Sequence, residues 1–158
     1  MLIYRSHSKL NHMVFIFVAI LGAIILYTGY TYNLIKPKKA ALTKVIDNMA
    51  QVSSSRKQLI LGYDRENEGS ALAEVANELK RTSTDRFQSF NKEESLITKT
   101  AEAATALGDA DLSGKVSSLN KQQQELMKKL KSTTADYNNF IKKAPANVVA
   151  SLFGFRPF

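Results

Sequence analysis

The sequence predicts an all-α chain: a single N-terminal transmembrane helix followed by an antiparallel up-and-down helical bundle. Three observations carry that expectation. An uncharged apolar stretch near the N-terminus is about one bilayer long, the apolar residues beyond it recur at helical spacing, and no segment alternates as a strand does. The implied division is a short polar segment at 1–12, an anchor helix at 13–35, a bundle at 36–145 and an aromatic tail at 146–158.

No Asp, Glu, Lys or Arg occurs between Lys9 and Lys36. Within that gap Met13 to Tyr32 supplies the roughly 20 apolar residues that a bilayer core of about 30 Å requires. Tyr27, Tyr30 and Tyr32 gather at its C-terminal end, where amphipathic rings favour the headgroup layer. A cleaved secretory signal would be shorter and would leave through a small-x-small site, whereas this stretch leaves through Tyr32-Asn-Leu-Ile-Lys36. An uncleaved anchor is therefore expected. Arg5 and Lys9 precede the stretch, and Lys36, Lys38, Lys39 and Lys44 follow it. By the positive-inside rule that small excess puts the bulk of the chain in the cytoplasm, with the opposite, extracytoplasmic orientation as the alternative. The same four lysines would lie within reach of anionic headgroups.

Beyond the anchor, Leu42, Val45, Ile46, Met49, Val52, Leu59 and Ile60 keep the three-and-four rhythm of one helix. Pro37 near its start either occupies a first turn or kinks the chain. Gly62 to Gly69 reads as a reversal, with Ser70 as the following cap. The next apolar series runs from Leu72 to Leu107 through Leu79, Phe87, Phe90 and Ile97. It is one long helix or two, because Thr82-Ser-Thr-Asp85 interrupts it with four cap-prone residues; the bundle accordingly has three helices or four. After Gly108, Asp111 or Ser113 should open the last helix. Its stripe of Leu112, Val116, Leu119, Gln123, Leu126, Leu130, Thr133, Tyr137, Phe140 and Ala144 ends before Pro145.

Composition narrows the chemistry. Cysteine is absent, which removes disulfides, thiolate metal sites and thiol nucleophiles, and the only histidines are His7 and His12. Asp109-x-Asp111-x-Ser113-Gly114 imitates half of a calcium loop, but Asn120 stands where the bidentate Glu belongs, so a capped turn is the simpler reading. Asp64, Glu66 and Glu68, and the adjacent Glu93 and Glu94, read as solvated helix-end charges and not as paired catalytic carboxylates. Lys115, Lys121, Lys128, Lys129, Lys131, Lys142 and Lys143 make the last helix basic. That helix has no Arg, and Tyr137 and Phe140 lie on its apolar face, which argues against nucleic acid. No enzyme, cofactor, metal or small-molecule substrate is expected. An apolar tail at a chain end must dock on the bundle, the membrane or a partner.

The stretch Asp136-Tyr-Asn-Asn-Phe-Ile-Lys-Lys-Ala-Pro-Ala-Asn-Val-Val-Ala-Ser-Leu-Phe-Gly-Phe155 resembles the C-terminal signature of the bacterial LemA family. Tyr32-Asn33-Leu34, Arg56-Lys57 and Gly62-Tyr63 fit the same plan. The family's Tyr-Pro-x-Leu motif is replaced by Leu107 to Leu112. The resemblance implies a membrane-anchored four-helix bundle of the bacterial inner membrane with no known enzymatic activity; one branch of the family serves magnetosome membrane formation. The functional expectation is a scaffold or accessory subunit in contact with lipid and other membrane proteins, of open oligomeric state. Leu152, Phe153, Phe155, Arg156 and Phe158 are the partner-binding candidates, and Lys36, Lys38, Lys39 and Lys44 the lipid-facing ones. The alternative is a membrane-remodelling or organelle-forming protein acting through that basic segment.

Overall fold

The computed structural model describes residues 3–67, 69–83, 87 and 89–158, with side chains from His12 onward. Among the described residues there are five helices and no strand: α1 (Ile3–Glu66), α2 (Ala73–Arg81), α3 (Phe90–Ala106), α4 (Ala110–Lys142) and α5 (Ala146–Leu152). The all-α expectation holds. One helix, α1, contains a stretch long and apolar enough to cross a membrane. Pro37 neither starts nor ends it: the helix runs through, missing only the amide that proline cannot donate.

The long series from Leu72 to Leu107 is two helices. The amide of Thr82 bonds to the carbonyl of Leu79 at the end of α2, and the Ser89 hydroxyl accepts the Lys92 amide to open α3. Thr84 and Asp85 of the anticipated break lie outside the described residues. Ser70 is not the cap of α2: its hydroxyl accepts the Leu72 amide, but the cap position is Leu72 itself, without a side-chain cap hydrogen bond. The α4 boundary falls slightly earlier than expected. Asp109 is the cap, its Oδ1 taking the amides of Asp111 and Leu112 at 3.0 Å each. Gly108, at φ +72°, supplies the left-handed residue that closes α3 just before it.

The chain divides into two compact units, residues 40–135 and residues 1–39 with 136–158. In the first of these, cross-contacts fix the direction of each helix. Lys57 Nζ donates to the Thr82 carbonyl at 2.8 Å and Lys80 pairs with Asp64, so α2 returns along the end of α1. Ser53 and Arg56 meet Glu93 early in α3, whereas Thr100 meets Asn120 in α4. With Arg56 also bonded to Asn120 and Ser53 to Gln123, α3 runs parallel to α1, and α4 antiparallel to both. A reversal therefore separates α2 from α3, and the up-and-down bundle has four helices.

Its core has an apolar end and a polar middle. Ile60, Leu72, Val75, Ala76, Leu79, Leu96, Ala104, Leu112 and Val116 form one buried cluster. A fully buried Leu or Ile contributes about 1.5–3 kcal/mol relative to exposure. Farther along α1 and α4 the burial resumes with Leu42, Val45, Met49, Met127 and Leu130. Between these stretches lie Ser53, Arg56, Glu93, Thr100, Asn120 and Gln123, all buried. Arg56 donates to Glu93 at 3.1 Å and to Asn120 Oδ1 at 3.0 Å. Gln123 Nε2 donates to Glu93 at 3.0 Å, and the Ser53 hydroxyl lies 3.2 Å from both Glu93 oxygens. Arg56 Nε and Gln123 Oε1 have no hydrogen-bond partner among the described residues.

Glu93 thus corrects the expectation of a solvated carboxylate. Its neighbour Glu94 is exposed, but Glu93 turns inward because Arg56 waits on another helix. Burial pulls the Arg56 guanidinium below its ordinary value, opposed by the charge and hydrogen bond of Glu93. A lowered folded value means that folding disfavours the charged form. Arginine stays charged throughout the neutral range, so desolvation is a standing cost there and stability should not change steeply with pH on its account.

Removing one partner leaves the other buried and uncompensated. Glu93→Leu and Arg56→Met should each destabilise by about 3–5 kcal/mol, and the double variant should recover most of that loss. Urea unfolding of the four proteins measures the coupling; equal and additive losses would deny it.

Candidate functional site

The unit formed by residues 1–39 and 136–158 contains most of the residues singled out from the sequence. Thr31 and Ile35 on α1 are buried in it, with Tyr137 and Ile141 on α4 and Ala146, Val149 and Ala150 on α5. Small and β-branched residues on the inner face of α5 allow that seven-residue helix to lie close. Its outer face carries Val148 and Leu152, one turn apart and both exposed.

The end of α5 is a Schellman turn. The Phe155 amide reaches back to the Ala150 carbonyl at 2.8 Å, and the Gly154 amide reaches the Ser151 carbonyl at 3.3 Å. Gly154 sits at φ +68°, where a side chain would be strained. This turn gives a physical reason for the Phe-Gly-Phe sequence, because it folds the chain back so that both rings reach one tyrosine. Tyr32 lies 4.8 Å from the Phe153 ring and 5.7 Å from the Phe155 ring, tilted to each. Lys39 Nζ stands 5.5 Å over Phe155, and Lys38 Nζ stands 5.3 Å over Phe140.

Beyond the turn, hydrogen bonds hold the last residues. The buried Tyr137 hydroxyl donates to the Arg156 carbonyl at 3.1 Å. Burial raises the pKa of this phenol, so it remains a donor through neutral and mildly alkaline pH. Asn138 binds Phe158 twice, donating to its carbonyl oxygen at 3.1 Å and accepting its amide at 3.0 Å.

The five partner-binding candidates therefore share one location, docked on their own chain at the end of the apolar stretch. Leu152, Phe153 and Phe158 keep more than half of their surface exposed, Phe155 is half-buried and the Arg156 side chain is exposed. Of the lipid-facing candidates, Lys36, Lys38 and Lys39 belong to this unit; Lys44 is an exposed residue of the other. Sequence reasoning overlooked Asn138, although the Tyr137-Asn138 pair opens the very stretch that drew attention to the tail. It placed Tyr32 at a headgroup layer without seeing that it is the anvil for two phenylalanines.

The 40–135 unit offers a second surface. Asn48, Gln51, Val52 and Ser55 of α1 face Leu119, Gln122, Glu125, Leu126 and Lys129 of α4 across a groove of about 570 Å³. Val52, Leu119 and Leu126 supply its half-buried apolar floor. Among the described residues no cluster of three or more His, Asp or Glu has the proximity to hold a metal ion. Comparison of the chain with protein-family models, with curated proteins and with solved structures finds no match.

The docking of the tail has two separable supports. Tyr137→Phe should remove one hydrogen bond, and Gly154→Ala should strain the turn by about 1 kcal/mol or more. Hydrogen exchange at the Phe155 and Phe158 amides should speed up in both variants while amides of α3 stay protected. Unchanged exchange at Phe155 in Gly154→Ala would mean that the turn is not what holds the tail.

Proposed function

We propose that this chain is a non-enzymatic scaffold or accessory subunit of a bacterial inner-membrane assembly, anchored by residues 13–35 of α1. One observation carries the reading. A single uninterrupted helix, α1, exposes Phe15, Ile16, Ile25 and Leu26 on all sides in its first half and buries Leu42, Val45, Met49 and Ile60 in its second. Large apolar side chains exposed around a whole helix over about 20 residues match a lipid solvent and not water. The same helix then forms one wall of the bundle, so whatever binds the bundle is tied directly to the bilayer. The similarity of residues 136–155 to the LemA signature supports the same assignment.

The excess of Lys36, Lys38, Lys39 and Lys44 over Arg5 and Lys9 favours a cytoplasmic bundle. The partner surface we assign is the α1–α4 groove. Its lining residues recur at helical spacing on both walls, a form suited to a further amphipathic helix laid along it. Val52, Leu119 and Leu126 give the groove a half-buried apolar floor between polar rims.

Photo-crosslinking in native membranes tests this. A crosslinker at Val52 or Leu126 should trap one or a few membrane proteins in fixed proportion, and the same group at exposed Glu102 on α3 should not. Adducts with the chain itself would replace the scaffold with self-assembly, and no position-dependent adduct would remove the reading.

A further inference from the structure

The net charge of the chain is not shared between its two units. Residues 1–39 and 136–158 contain eight Lys or Arg and only one acid, Asp136; residues 40–135 contain fourteen against thirteen. Nearly all of the +8 charge therefore belongs to the unit that carries the apolar stretch. Six of its eight cations, Lys36, Lys38, Lys39, Lys142, Lys143 and Arg156, follow that stretch in sequence.

The same unit exposes apolar side chains where a soluble surface would hide them. Val148, Leu152, Phe153 and Phe158 are each more than half exposed. Val148 and Leu152 share the outer face of α5, opposite buried Ala146, Val149 and Ala150. Tyr32 sets the height of Phe153 and Phe155. From Met13 to Tyr32 a helix rising about 1.5 Å per residue spans roughly 28 Å, close to the thickness of a bilayer core. Whatever touches Tyr32 then lies at the headgroup boundary, and the Phe153 and Phe155 rings touch it.

We infer that α5 and the residues after it are a second membrane contact, an interfacial foot beside the transmembrane helix. Val148, Leu152, Phe153 and Phe158 enter the boundary between headgroups and acyl chains of the leaflet from which α1 emerges. The surrounding cations favour anionic lipid there, each worth about 1 kcal/mol when within a Debye length of the surface. The inference rests on the anchoring reading and adds to it. An acidic protein partner would find the same cations. The coincidence of apolar exposure with the level of Tyr32, however, is what a lipid boundary requires and a protein partner does not.

The chain contains no tryptophan, so a single introduced indole is an unambiguous reporter. Full-length Leu152→Trp, Ile20→Trp and Ser118→Trp proteins would be reconstituted in phosphatidylcholine vesicles with and without phosphatidylglycerol. The quenching lipids carry bromine either near the headgroup or near the bilayer centre. Leu152 and Ser118 are exposed, so neither substitution disturbs a core. The Leu152 reporter should be quenched by the shallow bromines at least roughly twofold more than the Ser118 reporter on α4, and more in the anionic vesicles at low salt than at high salt. Ile20→Trp should be quenched best by the deep bromines; if it is not quenched, the anchor itself fails. With Ile20 quenched, equal behaviour of the Leu152 and Ser118 reporters would overturn the interfacial foot. Equal quenching of Leu152→Trp in the two vesicle types would overturn its preference for anionic lipid.

Discussion

A buried ion pair sets the register of the bundle. Arg56 of α1 reaches Glu93 of α3 and Asn120 of α4 with two arms of one planar guanidinium. A slide of any of these helices by one turn, about 5.4 Å, would leave a charge without its partner in the interior. Apolar side chains tolerate such slides far better, because one Leu replaces another at little loss. Four residues of the surrounding core, Ala76, Ala104, Met49 and Met127, are small or unbranched and specify position weakly. A polar layer that costs stability through desolvation is here the element that makes one alignment distinct from its neighbours.

The unit of residues 1–39 and 136–158 solves a different problem, that of fixing a short helix beside an exposed apolar one. A seven-residue helix has little stability of its own. It is fixed by burial of Ala146, Val149 and Ala150, by the Gly154 turn, and by the bonds from Tyr137 to Arg156 and from Asn138 to Phe158. Each support is weak alone. Together they place Phe153 and Phe155 on Tyr32, and the aromatic cluster spans the two ends of the sequence.

The sequence was most legible where structure is decided locally. Periodicity marked the helices, Gly108 and Pro145 marked breaks, and the apolar stretch within α1 is read directly from its lack of charge. Burial in α4 follows the anticipated stripe at Leu112, Val116, Gln123, Leu130 and Tyr137 but shifts by one residue elsewhere, to Asn120, Met127 and Ile141. The reason is geometric. A helix facing two neighbours buries a band wider than a heptad seam, and Leu119 and Leu126 sit at its rim, where they floor the groove. Glu93 was illegible for the opposite reason: its burial depends on Arg56, 37 residues away, and local spacing says nothing of that pairing. Phe87 and Phe90 belong by spacing to the apolar series from Leu72 to Leu107, yet they are half-buried and pair with each other, with Lys131 over the Phe90 ring.

The uneven distribution of charge links these observations to function. In the 40–135 unit acids and bases nearly balance, and several of them are used in pairs such as Lys99–Glu78 and Lys115–Asp111. Exposed pairs of that kind add little stability, generally below about 1 kcal/mol, but they leave the bundle with almost no net field. The 1–39 and 136–158 unit has eight cations and a single acid, so it carries nearly all of the chain's net positive charge. The charge thus separates a cationic unit of residues 1–39 and 136–158 from a nearly neutral unit of residues 40–135. In the proposed scaffold the first would meet an anionic lipid surface, and the second would recognise a partner by shape and apolar contact along the α1–α4 groove.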